Sequence, residues 1–246
     1  MADRHILPKI GPPLIVVVVW RGGVARPSLF VSMLIPLRPG ELPRLIPAVA
    51  TGPQFNACSG DPRKLLQRIL IAVIGGVISL LLSQSLFSSR WGPVWLVVGF
   101  VFLLYVLWGP ILEAGRRNAT LRRYPAAAIF EGTVADIEQR EVVENRREQA
   151  DNSGRLQLVE NTRTWLSLDL EDEDGYLGKI RFPMEKKHQQ IRRGMVIRTL
   201  VLSERNDFSR IGAISDAWLP QIKLWAGDYP YLLRPAFEEL CLRRLR

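Results

Sequence analysis

Two stretches of the chain carry no charged residue. They run from Ile69 to Phe87 (ILIAVIGGVISLLLSQSLF) and from Trp91 to Leu112 (WGPVWLVVGFVFLLYVLWGPIL), with Ser88, Ser89 and Arg90 between them. A helix needs about 20 apolar residues to cross a hydrocarbon core of roughly 30 Å, and both runs have that length. Buried helices of water-soluble domains rarely run so long without charge, so the pattern predicts a transmembrane helical hairpin. Trp91 and Trp95 stand at one end of the second run, Tyr105 and Trp108 at the other, where amphipathic rings settle against headgroups. Gly75, Gly76 and Gly99 are expected to let the two helices approach closely.

After Tyr124-Pro125 the apolar period changes from that of a helix to that of a strand. Ile129 to Ile137 and Leu156 to Glu160 read as strands, with a charged loop expected from Glu138 to Gly154. Trp165 to Glu171 alternates strictly and puts Leu166, Leu168 and Leu170 on one face; Tyr176 to Phe182 does the same with Tyr176, Ile180 and Phe182. Asp-Glu-Asp-Gly175 between them is a hairpin signal. Ile197 to Leu202 and Ile211 to Ser215 add two strands, the first preceded by a tight turn at Arg193-Gly194. The expected fold is therefore an α+β membrane protein: a helical hairpin, a small antiparallel β-barrel or sandwich of OB or SH3 type, and a short C-terminal helix beginning at Pro235.

Charge orients this arrangement. The formal net charge is +9, of which +6 accumulates through Glu113 and +3 after it. Arg63, Lys64 and Arg68 precede the first run, Arg116, Arg117, Arg122 and Arg123 follow the second, and the connector offers only Arg90. The positive-inside rule then puts both termini in the cytoplasm and the hairpin tip outside. Anionic headgroups explain these cations more simply than nucleic acid does, so the lipid bilayer is the expected partner and nucleic acid is not. Mean hydropathy slightly above zero, in so basic a chain, agrees with membrane residence.

The first 32 residues differ in composition from the rest. The break favours translation from Met33, with a signal peptide or an unstructured tail as alternatives. Glu41 to Ala50 is expected to form a short amphipathic helix, with Pro43 in its first turn, ending near Gly52-Pro53 and lying on the cytoplasmic face of the bilayer. The organisation is thus an extension (1–32), an interfacial segment (33–68), the hairpin (69–112), a basic linker (113–126), a cytoplasmic β-module (127–217) and an aromatic-rich tail (218–246).

Little in the chain carries chemistry. Cys58 and Cys241 are far apart, and His5 and His188 have no spaced acidic or cysteine partners, so no metal, catalytic or cofactor-binding residue is expected. His188, in Glu-Lys-Lys-His-Gln-Gln, reads as solvated. The acidic run ending at Gly175 fails as an EF-hand, because Leu170 and Arg181 would occupy ligand positions one and twelve. Gly175-Tyr-Leu-Gly178-Lys179 is too short for a phosphate loop, and Ile180 replaces the magnesium-binding hydroxyl. Ser79, Ser83, Gln84 and Ser85 suggest a polar path, but serines bonding back to their own helix are commoner. Asn118-Ala-Thr120 is a sequon by letter only, since it falls on the cytoplasmic side. The tail offers Trp218, Trp225, Tyr229, Tyr231, Phe237, Arg243 and Arg244 as a docking surface for a protein complex of the same membrane, against the plainer reading that its aromatics close the β-module's core.

Several phrases occur together: Leu45-Ile-Pro-Ala-Val-Ala-Thr-Gly-Pro-Gln-Phe55, Leu107-Trp-Gly-Pro110, Arg122-Arg-Tyr-Pro125, Val201-Leu-Ser-Glu-Arg-Asn-Asp-Phe-Ser-Arg-Ile211, Ile214-Ser-Asp-Ala-Trp-Leu-Pro220, Leu224-Trp225 and Asp228-Tyr-Pro-Tyr-Leu232. In these the chain, from about Met33 onward, resembles an uncharacterised two-span membrane-protein family of cyanobacteria with plastid relatives, often labelled "phosphate ABC transporter permease". The resemblance implies a thylakoid or plasma membrane location and transfers no site residue. Permeases of that type have about six spans and a coupling loop patterned E-A-A-x-x-x-G, whereas Glu113-Ala-Gly-Arg-Arg-Asn-Ala lacks the second Ala and has Ala119 at the Gly position. Two expectations follow: a non-enzymatic membrane-anchored adaptor or assembly factor, or a transporter subunit acting as a homo-oligomer or beside a larger permease.

Overall fold

The computed structural model describes residues 34–85, 91–150, 156–172 and 175–245. The extension over 1–32, the Met33 start and the hairpin tip at Ser89 and Arg90 lie outside them. The described chain is α+β and divides into two units. One takes Tyr124–Asp228 with the segment up to Leu37; the other takes Arg38–Arg123 and the chain from Tyr229 onward.

The first unit is one antiparallel sheet curled into a half-barrel. Its strands are β1 (Leu34–Pro36), β2 (Ala126–Ala150), β3 (Leu156–Asp172), β4 (Gly175–Pro183), β5 (Val196–Ser203), β6 (Ile211–Leu219) and β7 (Leu224–Ala226). The order is β4-β3-β2-β5-β6-β7, with β1 added to β2 at Ala128–Phe130. β4 and β7 end the sheet on opposite edges, so it is an open layer rather than the closed barrel or two-sheet sandwich expected. Leu166, Leu168 and Leu170 of β3 are buried against Phe130, Val134, Ile180, Phe182, Ile197, Val201 and Leu219, as strict alternation requires. Gly194, at φ +79°, makes the turn before β5, a conformation open to glycine without strain.

Two expectations fail here. Glu138–Ala150 is strand, not loop: β2 continues in register with β3 from Thr133↔Glu171 to Ala150↔Leu156. β5 leaves β2 near Thr133, and β4 ends at Trp165↔Pro183, so the outer part is a two-stranded ribbon. Its backbone register runs through Arg146↔Glu160 to Ala150↔Leu156, with a bulge between Val143 and Asn145. His188 is buried, not solvated. It lies in a 3₁₀ turn (Lys186–Gln190), its ring 4.7 Å from that of Phe182, and Nδ1 accepts the Glu185 N–H at 3.1 Å. That bond satisfies the one ring nitrogen that a neutral imidazole offers as acceptor.

The helical unit contains α1 (Leu42–Leu45), α2 (Gly52–Ser59), α3 (Pro62–Ser85), α4 (Gly92–Leu103), α5 (Tyr105–Arg122) and α6 (Arg234–Arg244). The amphipathic helix expected over Glu41 to Ala50 is a single turn. Pro47 holds Ile46 in extended geometry, so α1 stops at Leu45, and Gly52-Pro53 opens the next helix instead of ending this one. Leu45 and Ile46 are buried within the chain, which does not suit a helix lying on a bilayer. Asp61 starts α3: its Oδ1 accepts the Arg63 N–H at 2.9 Å, with Pro62 at the first helical position.

α3 is long and apolar enough to cross a membrane; α4 and α5 pass that test only together, as a pair bent by 69°. At the break the Val101 carbonyl accepts the Trp108 indole N–H at 2.9 Å, in place of a backbone donor. α3 and α4 touch where their glycines lie. A Cβ on Gly99 would stand 3.1 Å from Ser79 Cβ, and one on Gly76 3.0 Å from a Leu103 methyl. Ser83 Oγ donates to the Gly92 carbonyl at 3.0 Å, across to α4 and not back along its own helix. Only 22% of the most apolar window of α3 is buried.

Candidate functional site

Charge re-enters both helices at the boundary of their apolar runs, and there it is organised. Lys64 and Arg68 lie one turn apart on α3; Glu113 and Arg117 lie one turn apart on α5. Glu113 Oε2 accepts from Arg68 at 2.7 Å, while Oε1 accepts from Lys64 at 2.6 Å and from Arg117 at 3.1 Å. The Arg68 side chain is 6% exposed and passes beneath Gly109, where an added Cβ would be 3.4 Å from its Cδ. It also donates to the Cys58 carbonyl at 3.2 Å. Burial of a guanidinium demands such pairing.

Beside this cluster two primary amides face each other with no exposure. Gln54 Oε1 accepts from Asn118 Nδ2 at 3.0 Å and from the Thr51 N–H at 3.0 Å; Gln54 Nε2 donates to the carbonyls of Pro230 (2.9 Å) and Tyr231 (3.2 Å). Asn118 Nδ2 donates also to the Pro47 carbonyl at 2.9 Å. Two side chains thus join α2, α5, the Pro47 loop and the returning C-terminal segment. Asn118, a sequon by letter, is an internal strut.

Tyr229 is buried against Cys58 and Ala114, with the Arg117 guanidinium 5.0 Å over its ring and Tyr231 edge-on at 4.7 Å. Burial, reinforced by the Glu113 charge, pushes the Cys58 thiol up, and burial beside Cys58 pushes the Tyr229 phenol up. Both stay protonated at neutral pH, the opposite of an activated nucleophile. Among the described residues no group of three or more His, Cys, Asp or Glu is placed to hold a metal ion.

The expected membrane-interface cations separate into two sets. Lys64, Arg68 and Arg117 converge on Glu113, while Arg63, Arg116 and Arg123 are exposed and Arg122 is half-buried. Trp91 is exposed, and Trp95, Tyr105 and Trp108 are half-buried. Tyr105 and Trp108 pack edge-on at 4.7 Å beside the helix break, where the Trp108 indole donates to the Val101 carbonyl. The tail divides as well. Trp218 and Trp225 stack at 5.4 Å in the sheet unit, whereas Tyr229, Tyr231, Phe237, Arg243 and Arg244 belong to the helical unit. Trp225, Tyr229 and Phe237 are buried within the chain, so they are interior residues and do not offer the docking surface expected of them. Arg244 binds both oxygens of Glu41, at 2.8 and 3.0 Å; Arg243 pairs with Glu239 and is exposed.

Sequence reasoning missed Glu113 and Gln54. The signal for Gln54 was Thr51-Gly-Pro-Gln54, a capping box. For Glu113 it was a lone acid set among basic flanks at the end of an apolar run.

A family model described as "Family of unknown function (DUF8619)" matches residues 35–246. No curated protein and no solved structure matches the chain.

Proposed function

We propose, for a chain that belongs to the Family of unknown function (DUF8619), the role of a non-enzymatic membrane-anchored adaptor or assembly factor. The hairpin over 69–112, α3 against α4 with the apolar start of α5, is the anchor, and the sheet unit is presented on the cytoplasmic side to a protein complex of the same membrane. The observation that carries this reading is the uncovered apolar surface of the hairpin. Leu70, Val73, Val77, Leu81, Val97 and Phe100 are each about half exposed or more, and soluble proteins rarely leave so large an apolar patch in water. Apart from Arg90 in the connector, charge returns at the outer ends of the runs, where Arg63, Arg116 and Arg123 are exposed, in keeping with cytoplasmic termini.

The transport alternative draws less support. Ser79 is buried against Gly99, Ser83 bonds to the Gly92 carbonyl and Ser85 bonds back to the Leu82 carbonyl, so two of the three hydroxyls lie at the helix contact instead of lining a path.

The test is fractionation followed by mild-detergent co-purification from native membranes. The full chain should stay with membranes through high-salt and alkaline carbonate washes. It should then co-purify with membrane proteins that are lost when the sheet unit is deleted and the hairpin kept. Release by carbonate overturns the anchor; co-purification unaffected by the deletion overturns the adaptor.

A further inference from the structure

We infer that Lys64 and Arg117, held by Glu113 at the cytoplasmic foot of the hairpin, form a binding site for the phosphate of an anionic lipid headgroup. This rests on the membrane reading above and adds to it a specific ligand. Three cations meet one carboxylate, so the cluster keeps a formal charge of +2. Arg68 is buried and spends its charge on Glu113 and the Cys58 carbonyl. Lys64 and Arg117 differ: their side chains are 36% and 29% exposed, and they share a single oxygen, Oε1. Bound to one atom at 2.6 and 3.1 Å, their nitrogens lie within about 6 Å of each other.

An ammonium has three N–H donors and a guanidinium five. The hydrogen bonds to Glu113 use one from each, which leaves donors on both part-exposed side chains for a second anion. Arg117 is further fixed by the Tyr229 ring beneath it, so little side-chain freedom is lost on binding. Depth selects the ligand. Lys64 lies five residues before the uncharged run of α3, and Arg117 five residues after that of α5, so both stand at headgroup level in a membrane-inserted hairpin. A phosphate oxygen, fully charged and tetrahedral, suits a guanidinium and an ammonium at this spacing.

The full chain is reconstituted in vesicles of phosphatidylcholine with a minor fraction of phosphatidylglycerol, re-extracted in mild detergent, and its retained lipids are quantified by mass spectrometry. The wild type should enrich phosphatidylglycerol. K64Q/R117Q should lower that enrichment about tenfold. R63Q/R116Q removes the same charge from the same two helices at exposed positions, and should leave it within about twofold. Equal losses in the two double variants would mean a diffuse field and overturn the site. If K64Q/R117Q does not fold, K64Q alone decides: a several-fold loss at unchanged melting temperature supports the site, and unchanged enrichment overturns it. Inorganic phosphate that raises the melting temperature of the delipidated wild type, beyond chloride at equal ionic strength and only with Lys64 and Arg117 intact, would assign the site to a free anion and overturn the lipid. Carbonate release of the chain would fail the membrane reading itself, whereas a carbonate-resistant chain with no enrichment fails the lipid site alone.

Discussion

The sheet and the hairpin are both rich in leucine, and they treat it in opposite ways. Leu166, Leu168 and Leu170 of β3 alternate with polar neighbours and are wholly buried inside their own unit. On α3 the apolar residues go all the way round: Leu81 is 59% exposed, and the face toward α4 includes Gly76 and Ser79. A strand with one apolar face supplies its own interior. A helix that is apolar on every face, with its smallest residues buried, leaves its large side chains uncovered by its own chain, and the proposed membrane anchor rests on that surface.

The largest expected effect sets these leucines against each other. Leu168→Asp buries an unpaired charge at a cost of several kcal/mol, against a total stability of roughly 5–15 for a domain, and is expected to unfold the sheet. Leu81→Asp should leave the sheet's unfolding transition where it was and disfavour membrane insertion by about 3 kcal/mol. Tryptophan fluorescence in denaturant and glycosylation-site insertion assays measure the two. An equal loss of sheet stability in both variants would erase the contrast.

The next effect is within the helical unit, where burial again decides. Glu113→Ala strands the buried Arg68 charge and is expected to cost about 3 kcal/mol. Lys64→Ala removes a partner that is a third exposed and should cost less than about 1 kcal/mol. Thermal unfolding of the detergent-solubilised full chain separates them; comparable losses would show that Arg68 does not depend on Glu113.

Smaller still is the effect of the helix contact. Gly99→Val meets Ser79 Cβ, which its helix backbone holds in place, and should cost about 1–3 kcal/mol of hairpin packing. At Gly75 a methyl would meet the Phe102 ring, 2.4 Å from Cδ1 and 2.5 Å from Cγ, yet Phe102 is 36% exposed and rotation about its Cα–Cβ bond can carry the ring aside. Gly75→Ala should therefore be the milder of the two in cysteine cross-linking between α3 and α4, and the reverse order would refute the assigned contact.

Legibility in the sequence followed the same division. The register of β3, the turn at Gly194 and the glycine contact of α3 with α4 were readable because each rests on a local period or a single residue type. Glu138–Ala150 was not, because charged residues at successive positions leave no apolar period of two to detect. Nor was the break at Leu104, which has no proline or glycine at it and is finished by an indole four residues on. Ser167 sits on the polar face and is nevertheless buried, its neighbours in register being Glu138 and Arg181. The Glu113 cluster and the Gln54–Asn118 pair join residues far apart in the chain, and no spacing rule reaches across that separation.

The smallest expected effect concerns His188, a buried imidazole packed against the Phe182 ring in the sheet unit. Burial holds its imidazole below the usual range, the Lys187 charge adds to this, and Glu185 with the Pro183 carbonyl opposes without prevailing. The unfolded chain titrates near the ordinary histidine value of about 6.5. The folded state thus binds its proton only at lower pH, and the contribution of neutral His188 is whole above that value and lost as pH falls through the folded pKa. Stability of the sheet unit should then decline between neutral and mildly acidic pH. His188→Asn, which keeps an acceptor for the Glu185 N–H and cannot be protonated, should flatten that decline at a small constant loss from the packing given up beside Phe182. Denaturant midpoints of both chains at pH 8, 7, 6 and 5 supply the measurement. Parallel curves would place the acid sensitivity in the carboxylate pairs of the outer face, such as Glu138–Lys179, and take it away from the histidine.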